Sequence, residues 1–158
     1  MEIVIIGSGN LATQLSLALS DAGQQMLQVF SKTEEHAREL DGKLGCGYTA
    51  NADEIDGNAD VYIISVKDDA ISGIATKIGE KARNAIVVHT AGSIAMDVLK
   101  GKAQHYGVFY PMQTFSKDRL VDFTNIPIFV EADSEEDTRL LELLAKSISN
   151  DTHRLGSD

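Results

Sequence analysis

Met1-Glu2-Ile3-Val4-Ile5-Ile6-Gly7-Ser8-Gly9-Asn10-Leu11-Ala12 opens the chain, and its reading decides the fold. The unbroken apolar run from Ile3 to Ile6 fits a strand buried on both faces, as in a parallel sheet. It ends in Gly7-x-Gly9-x-x-Ala12, which begins an amphipathic segment with Leu11, Ala12, Leu15, Ala18, Leu19 and Ala22 on one helical face. Strand, glycine turn and helix in this order form the dinucleotide-binding fingerprint. Gly7 permits the tight turn, Gly9 lets backbone approach a pyrophosphate, and Ala12 keeps helix and strand close. Backbone amides at the helix start, at the positive end of its dipole, would hold the anion. Gly7, Ser8, Gly9, Asn10, Leu11 and Ala12 are therefore the first expected cofactor-binding residues.

The theme of strand then helix repeats along the chain. Gly23 follows the first helix, Met26 to Ser31 reads as a second strand, and Thr33 to Leu40 as a helix closed by Gly42. A short strand is expected around Gly45 to Thr49. Asp60 to Val66 is another buried strand, followed by a helix running to about Gly79. Ala85 to His89 is a fifth strand, Ile94 to Leu99 a short helix, and Tyr106 to Tyr110 a sixth strand stopped by Pro111. Ile126 to Glu131 gives a seventh strand. Ser134-Glu-Glu-Asp137 resembles a capping box, opening a helix with Leu140, Leu141, Leu144, Ala145 and Ile148 facing inward. Asp151 to Leu155 closes as a short strand. Alternation of this kind predicts a doubly wound, mostly parallel α/β sheet with helices on both faces, one domain over residues 1–158. The longest irregular stretch, Pro111 to Asn125, is long enough to suggest function.

Composition narrows the classes. A chain of 158 residues with 43% hydrophobic residues can bury a real core. The net charge of −10, with the 14 basic residues scattered, argues against a nucleic-acid surface. No apolar run approaches a membrane span and no secretory signal precedes the first strand, so a cytoplasmic location is expected. Cys46 is the single cysteine, and the four histidines lie too far apart in sequence for a compact zinc motif, so no metal is expected.

The end of the second strand bears on the choice of nucleotide. NAD-binding sites usually place Asp or Glu about 20 residues beyond the glycine turn, for the ribose 2′-hydroxyl. Here the tip is Val29-Phe30-Ser31-Lys32-Thr33, with donors and one positive charge but no carboxylate. That favours NADP(H), with Ser31, Lys32 and Thr33 toward the 2′-phosphate and Arg38 within reach. The alternative is that Lys32 is an ordinary solvated lysine. Ser65, Val66 and Lys67 end the fourth strand on the carboxyl edge, where ligands bind in open α/β sheets. Lys67 reads equally as a surface lysine.

His89 ends the fifth strand on the same edge and is a candidate proton donor to a carbonyl. With equal weight it is a strand-end histidine satisfied by neighbouring backbone. Gln113 and Thr114, among Tyr110, Met112 and Phe115, read either as a pocket wall with convergent polar groups or as the sequel to a proline-stopped strand with its aromatics in the core. His89, Gln113 and Thr114 are the candidate catalytic residues. Hydride transfer needs little from side chains beyond positioning and a proton donor.

These segments, with Ile64-Ser65-Val66-Lys67-Asp68, His89-Thr90-Ala91-Gly92-Ser93 and Tyr110-Pro111-Met112-Gln113-Thr114-Phe115, resemble a bacterial family of Rossmann-like oxidoreductases of poorly defined function. It is similar to the NADP-dependent reductases that include pyrroline-5-carboxylate reductase, ketopantoate reductase and 6-phosphogluconate dehydrogenase. The resemblance covers nearly the whole chain. It implies an NADP(H)-binding Rossmann domain of an oxidoreductase acting on a small carbonyl, imine or hydroxy acid. It also implies a C-terminal helical domain, absent from these 158 residues, that would complete the substrate pocket and form a homodimer. The chain then reads as an N-terminal part whose isolated form is inactive. The alternative is a non-catalytic NADP(H)-binding regulatory or sensor module.

Overall fold

A computed structural model describes residues 1–82, 84–115 and 119–155. Residues 116–118 of the expected long loop and residues 156–158 of the expected domain lie outside the described residues. Eight strands form one sheet: β1 (Glu2–Ile6), β2 (Gln25–Phe30), β3 (Tyr48–Thr49), β4 (Val61–Ile64), β5 (Ile86–His89), β6 (His105–Pro111), β7 (Ile128–Ala132) and β8 (Thr152–Arg154). Their order is β3-β2-β1-β4-β5-β6-β7-β8. The first six run parallel, whereas β7 is antiparallel to β6 and parallel to β8. The sheet is thus the expected doubly wound, mostly parallel Rossmann-type α/β structure, with the two expected last strands at one edge.

The apolar runs account for the centre. Ile3 to Ile6 in β1 and Tyr62 to Ile64 in β4 have no exposed surface, as strands covered on both faces require. The helices α1 (Asn10–Asp21), α2 (Glu34–Leu44) and α4 (Glu135–Lys146) bury Leu15, Leu19, Ala37, Leu40, Leu141 and Leu144 in the core on one face. On the other face α3 (Ile71–Gly79) buries Ile71, Ala75 and Ile78 against Val4, Ile6, Tyr62 and Ile64. Described parts of the long loop also belong to the core. Phe115 and Phe123 stack with centroids 5.4 Å apart, and Val121 N–H donates to Gln14 Oε1 at 3.1 Å.

Several local expectations are corrected. α2 continues through Gly42 to Leu44 and ends at Gly45 (φ +70), while Asp41 Oδ1 accepts the amides of Cys46 and Gly47 beyond it. The left-handed residue, with those satisfied amides, sets the end rather than the first glycine met. Between Ile94 and Leu99 only a 3-10 turn forms, Met96–Leu99. Pro111 is the last residue of β6 rather than its stop. The ladder bonds run from Asp133 N–H to Tyr106 O and from Met112 N–H to Pro127 O. That alternation turns the Pro111 nitrogen away from β7, to the side where β5 has already ended. Ser134 does cap α4 by accepting Asp137 N–H at 3.1 Å, but the Asp137 carboxylate bonds His105 instead of completing a box. Leu140, expected inward, is 38% exposed.

Candidate functional site

Register aligns the carboxyl ends of the parallel strands, with Ile6 beside Phe30 and Ile64, and Ile64 beside His89. The residues that follow each strand therefore gather along one edge. Gly7 is buried there, and its N–H donates to Phe30 O at 2.7 Å. Its φ is +122°, and a Cβ would lie 2.1 Å from Ser65 O. No side chain fits, so Gly7 lets β1 leave the sheet against the end of β4. Gly9 differs: its φ is −73°, and a Cβ would meet nothing within 4 Å. The space over Gly9 is open.

That space faces the start of α1. The first backbone bond into the helix is Thr13 N–H to Gly9 O at 3.0 Å, so the amides of Asn10, Leu11 and Ala12 have no acceptor inside the helix. No side chain caps this end, and its first turn carries no acidic residue. Ala12 is fully buried, which brings helix and strand together. Free amides, the positive dipole end and an open approach can bind an anionic group. The cradle is thus of a kind that fits a dinucleotide.

Ser8 joins this turn to β2, because its Oγ lies 2.8 Å from Ser31 Oγ. Ser31 is buried, and its hydroxyl also accepts Thr33 N–H at 3.4 Å. Its hydroxyl therefore fixes the β2 tip onto the glycine turn. Lys32, Thr33 and Arg38 are exposed, and Lys32 forms no ion pair among the described residues. Glu34 and Glu35 occupy the first turn of α2, where they complement its dipole. A shallow recess lined by Ser8, Thr13, His36, Glu39, Leu40 and Lys43 lies between α1 and α2.

Beyond β4, Ser65 and Val66 are half-buried and Lys67 is exposed. Ser65 N–H donates to Ile6 O at 2.7 Å, so the β4 end is bonded to the β1 end. His89 departs from the proton-donor expectation. It has no exposed surface; Nδ1 accepts Ala91 N–H at 3.0 Å, and Nε2–H donates to Ala95 O at 3.2 Å. Burial pushes its pKa below the usual value. The geometry gives the ring a structural role, as a neutral brace for residues 91–95, with no nitrogen open to a substrate.

Gln113 and Thr114 are exposed just past β6, on the same edge but without a bond to the glycine turn or to Ser65. Phe115 is buried, whereas Tyr110 is half-buried. A contact that sequence reasoning did not single out is between Gly92 and Tyr110, where a Cβ on Gly92 would lie 2.5 Å from the Tyr110 ring. The only available signal was a glycine just after a strand. The structure therefore joins the glycine turn, the β2 tip and the β4 end, and sets Gln113 and Thr114 apart.

Comparison with known proteins agrees with this fold. The family described as "NADP oxidoreductase coenzyme F420-dependent" is matched over residues 2–92. No curated protein is significantly similar. Among solved structures, a Bacteroides fragilis protein provisionally described as an NADP oxidoreductase is 50% identical over 99% of this chain, with a TM-score of 0.95. A pyrroline-5-carboxylate reductase from Coxiella burnetii (19% identity, TM-score 0.79) and an imine reductase from Myxococcus stipitatus in complex with NADP+ (15%, 0.78) each match over 99% of the chain and share its fold. The chain spans 61%, 59% and 55% of these three proteins respectively. Among the described residues no helix is long and apolar enough to cross a membrane. With more than half its length matched, the chain belongs to the NADP oxidoreductase, coenzyme F420-dependent family.

Proposed function

We propose that this chain is the NADP(H)-binding part of a cytoplasmic oxidoreductase acting on a small carbonyl, imine or hydroxy acid. The observation that carries the choice of NADP(H) over NAD(H) is the β2 tip, where exposed Lys32 has no ion-pair partner among the described residues and Ser31 takes the place of an acid. A carboxylate there would accept from a 2′-hydroxyl and repel a 2′-phosphate. Lys32 and Thr33 would hold the 2′-phosphate, with Arg38 adding charge. Ser31 and Ser8 would set the tip against the turn. Amides following Gly9, at Asn10, Leu11 and Ala12, would take the pyrophosphate. Ser65, Val66 and Lys67 would border the nicotinamide side, and Gln113 and Thr114 the substrate. When bound, the nicotinamide supplies the hydride chemistry; the chain's residues bind and orient it. The homodimer would form through sequence beyond these 158 residues.

A second reading, a non-catalytic NADP(H) sensor, is favoured by one observation: His89 is sealed and offers no proton. Calorimetric titration with NADPH and NADH tests the cofactor. Tighter NADPH binding is expected, and Lys32→Asp should weaken NADPH by about 1 to 3 kcal/mol more than NADH, as loss of a charged partner predicts. Equal loss for both would remove Lys32 from the 2′-phosphate. Turnover of a small carbonyl or imine with NADPH by a longer protein containing this domain would sink the sensor reading. Coenzyme F420, named in the family description, belongs in the same titration.

A further inference from the structure

At the opposite, amino-terminal edge of the sheet, three side chains distant in sequence come together. His105 opens β6, Asp133 follows β7, and Asp137 lies in the first turn of α4. One ligand atom of each lies within 4.8 Å of the others. His105 Nδ1 is 2.9 Å from Asp137 Oδ2. Asp137 is buried, and its only ion-pair partner among the described residues is that imidazole. Asp133 is exposed, with Oδ1 accepting Tyr106 N–H at 3.3 Å, so its second oxygen is available. The cluster borders a hollow of about 710 Å³, whose wall includes His105, Asp137, Ala85, Ile86 and Leu140.

We propose that His105, Asp133 and Asp137 bind one divalent transition cation of the Zn²⁺ or Co²⁺ class. One imidazole and two carboxylates make a mixed nitrogen and oxygen donor set suited to such ions. In a tetrahedral shell two donors each about 2.0–2.1 Å from the metal stand about 3.3–3.4 Å apart, so the His105 and Asp137 atoms, now 2.9 Å apart, need to separate by only about half an ångström. Asp133, with a carboxylate oxygen within 4.8 Å of both, completes the set. A buried carboxylate without lysine or arginine gains from a cation, and the two carboxylates with a neutral imidazole balance a charge of +2. The imidazole binds through Nδ1 as the neutral ring, and any proton there passes to solvent. The hollow supplies an entry path and room for water ligands. Sequence spacing hid this set, since His105 and Asp137 are 32 positions apart.

The test is titration of the metal-free, tag-free chain with Co²⁺, followed by visible absorption, and with Zn²⁺, followed by calorimetry. One-to-one uptake is expected, weakened about tenfold or more by His105→Gln and by Asp137→Asn. Circular dichroism and NADPH titration of the same variants report whether the fold is retained. If a variant fails to fold, paramagnetic Co²⁺ shifts in the wild-type chain locate the ion. Shifts centred on residues 105, 133 and 137 support the site. Absence of one-to-one uptake, uptake indifferent to His105→Gln in a folded variant, or shifts centred elsewhere would overturn it and leave a structural hydrogen bond.

Discussion

Replacing Gly7 and Gly9 separately by alanine should give opposite results, although the two stand two positions apart in one motif. At Gly7 the new Cβ would lie 2.1 Å from Ser65 O and 2.9 Å from Ser65 C, and the backbone holds φ at +122°. The neighbour is main chain whose own N–H is bonded to Ile6 O, so it cannot swing aside as a side-chain tip would. Strained φ costs about 1–3 kcal/mol. Forced overpacking costs about 1–3 kcal/mol more. A loss near 4 kcal/mol is then expected, which in a domain of this size lowers Tm by about 8–16 °C. At Gly9 the Cβ enters open space at φ −73°, so stability should change by less than about 0.5 kcal/mol. NADPH affinity should nevertheless fall about tenfold or more if the pyrophosphate approaches there. Urea unfolding and calorimetric titration of both variants supply the readouts. A Gly7→Ala domain as stable as wild type, or a Gly9→Ala domain equally destabilised, would refute the reasoning.

Two further outcomes follow from the ionisable groups. His89 is held neutral by burial, so its folded pKa lies below the unfolded value and the unfolded chain binds more protons. Its contribution is fully present above pH 6.5 and is lost as pH falls toward the depressed value, by up to about 1.4 kcal/mol per pH unit. Urea unfolding between pH 7 and 5 should therefore show a steeper loss for wild type than for His89→Gln; parallel slopes would show that His89 is not buried neutral. Arg154 bridges Glu135 at 2.7 and 2.8 Å and Glu142 at 2.9 Å, and this holds the Glu135 carboxyl down at about 2. That tie between β8 and α4 persists above the ordinary carboxylate range and is lost as pH falls toward 2. Arg154→Ala should speed hydrogen exchange of the Leu155 amide, which bonds Val130 O; unchanged exchange would deny the tie.

Much of the fold was legible because the relevant forces are local. The runs at Ile3–Ile6 and Val61–Ile64 are too apolar for any half-solvated strand, and the structure buries both. Gly7 could be assigned its turn because only a residue without Cβ leaves β1 in that manner. Lys32 was visible as the charge at the β2 tip. Ser31 was legible as a hydroxyl at that tip, but its bond to Ser8, 23 positions away, was not, because no local pattern contains it. The two readings of His89 could not be separated in sequence, because Ala91 N–H and Ala95 O are backbone groups that every sequence supplies.

By itself, the sequence determined the alternation of strands and helices, the glycine turn after the first strand, and the absence of an acid at the second strand's tip. Hydrophobic period, glycine geometry and residue charge are properties of short segments, so no knowledge of the fold is needed to read them. Only the tertiary structure decided that β7 runs antiparallel, that His89 braces a turn rather than facing solvent, and that His105 meets Asp133 and Asp137. Each of these depends on which groups lie side by side across the sheet, where long-range packing sets burial, hydrogen-bond partners and distances that no local pattern contains.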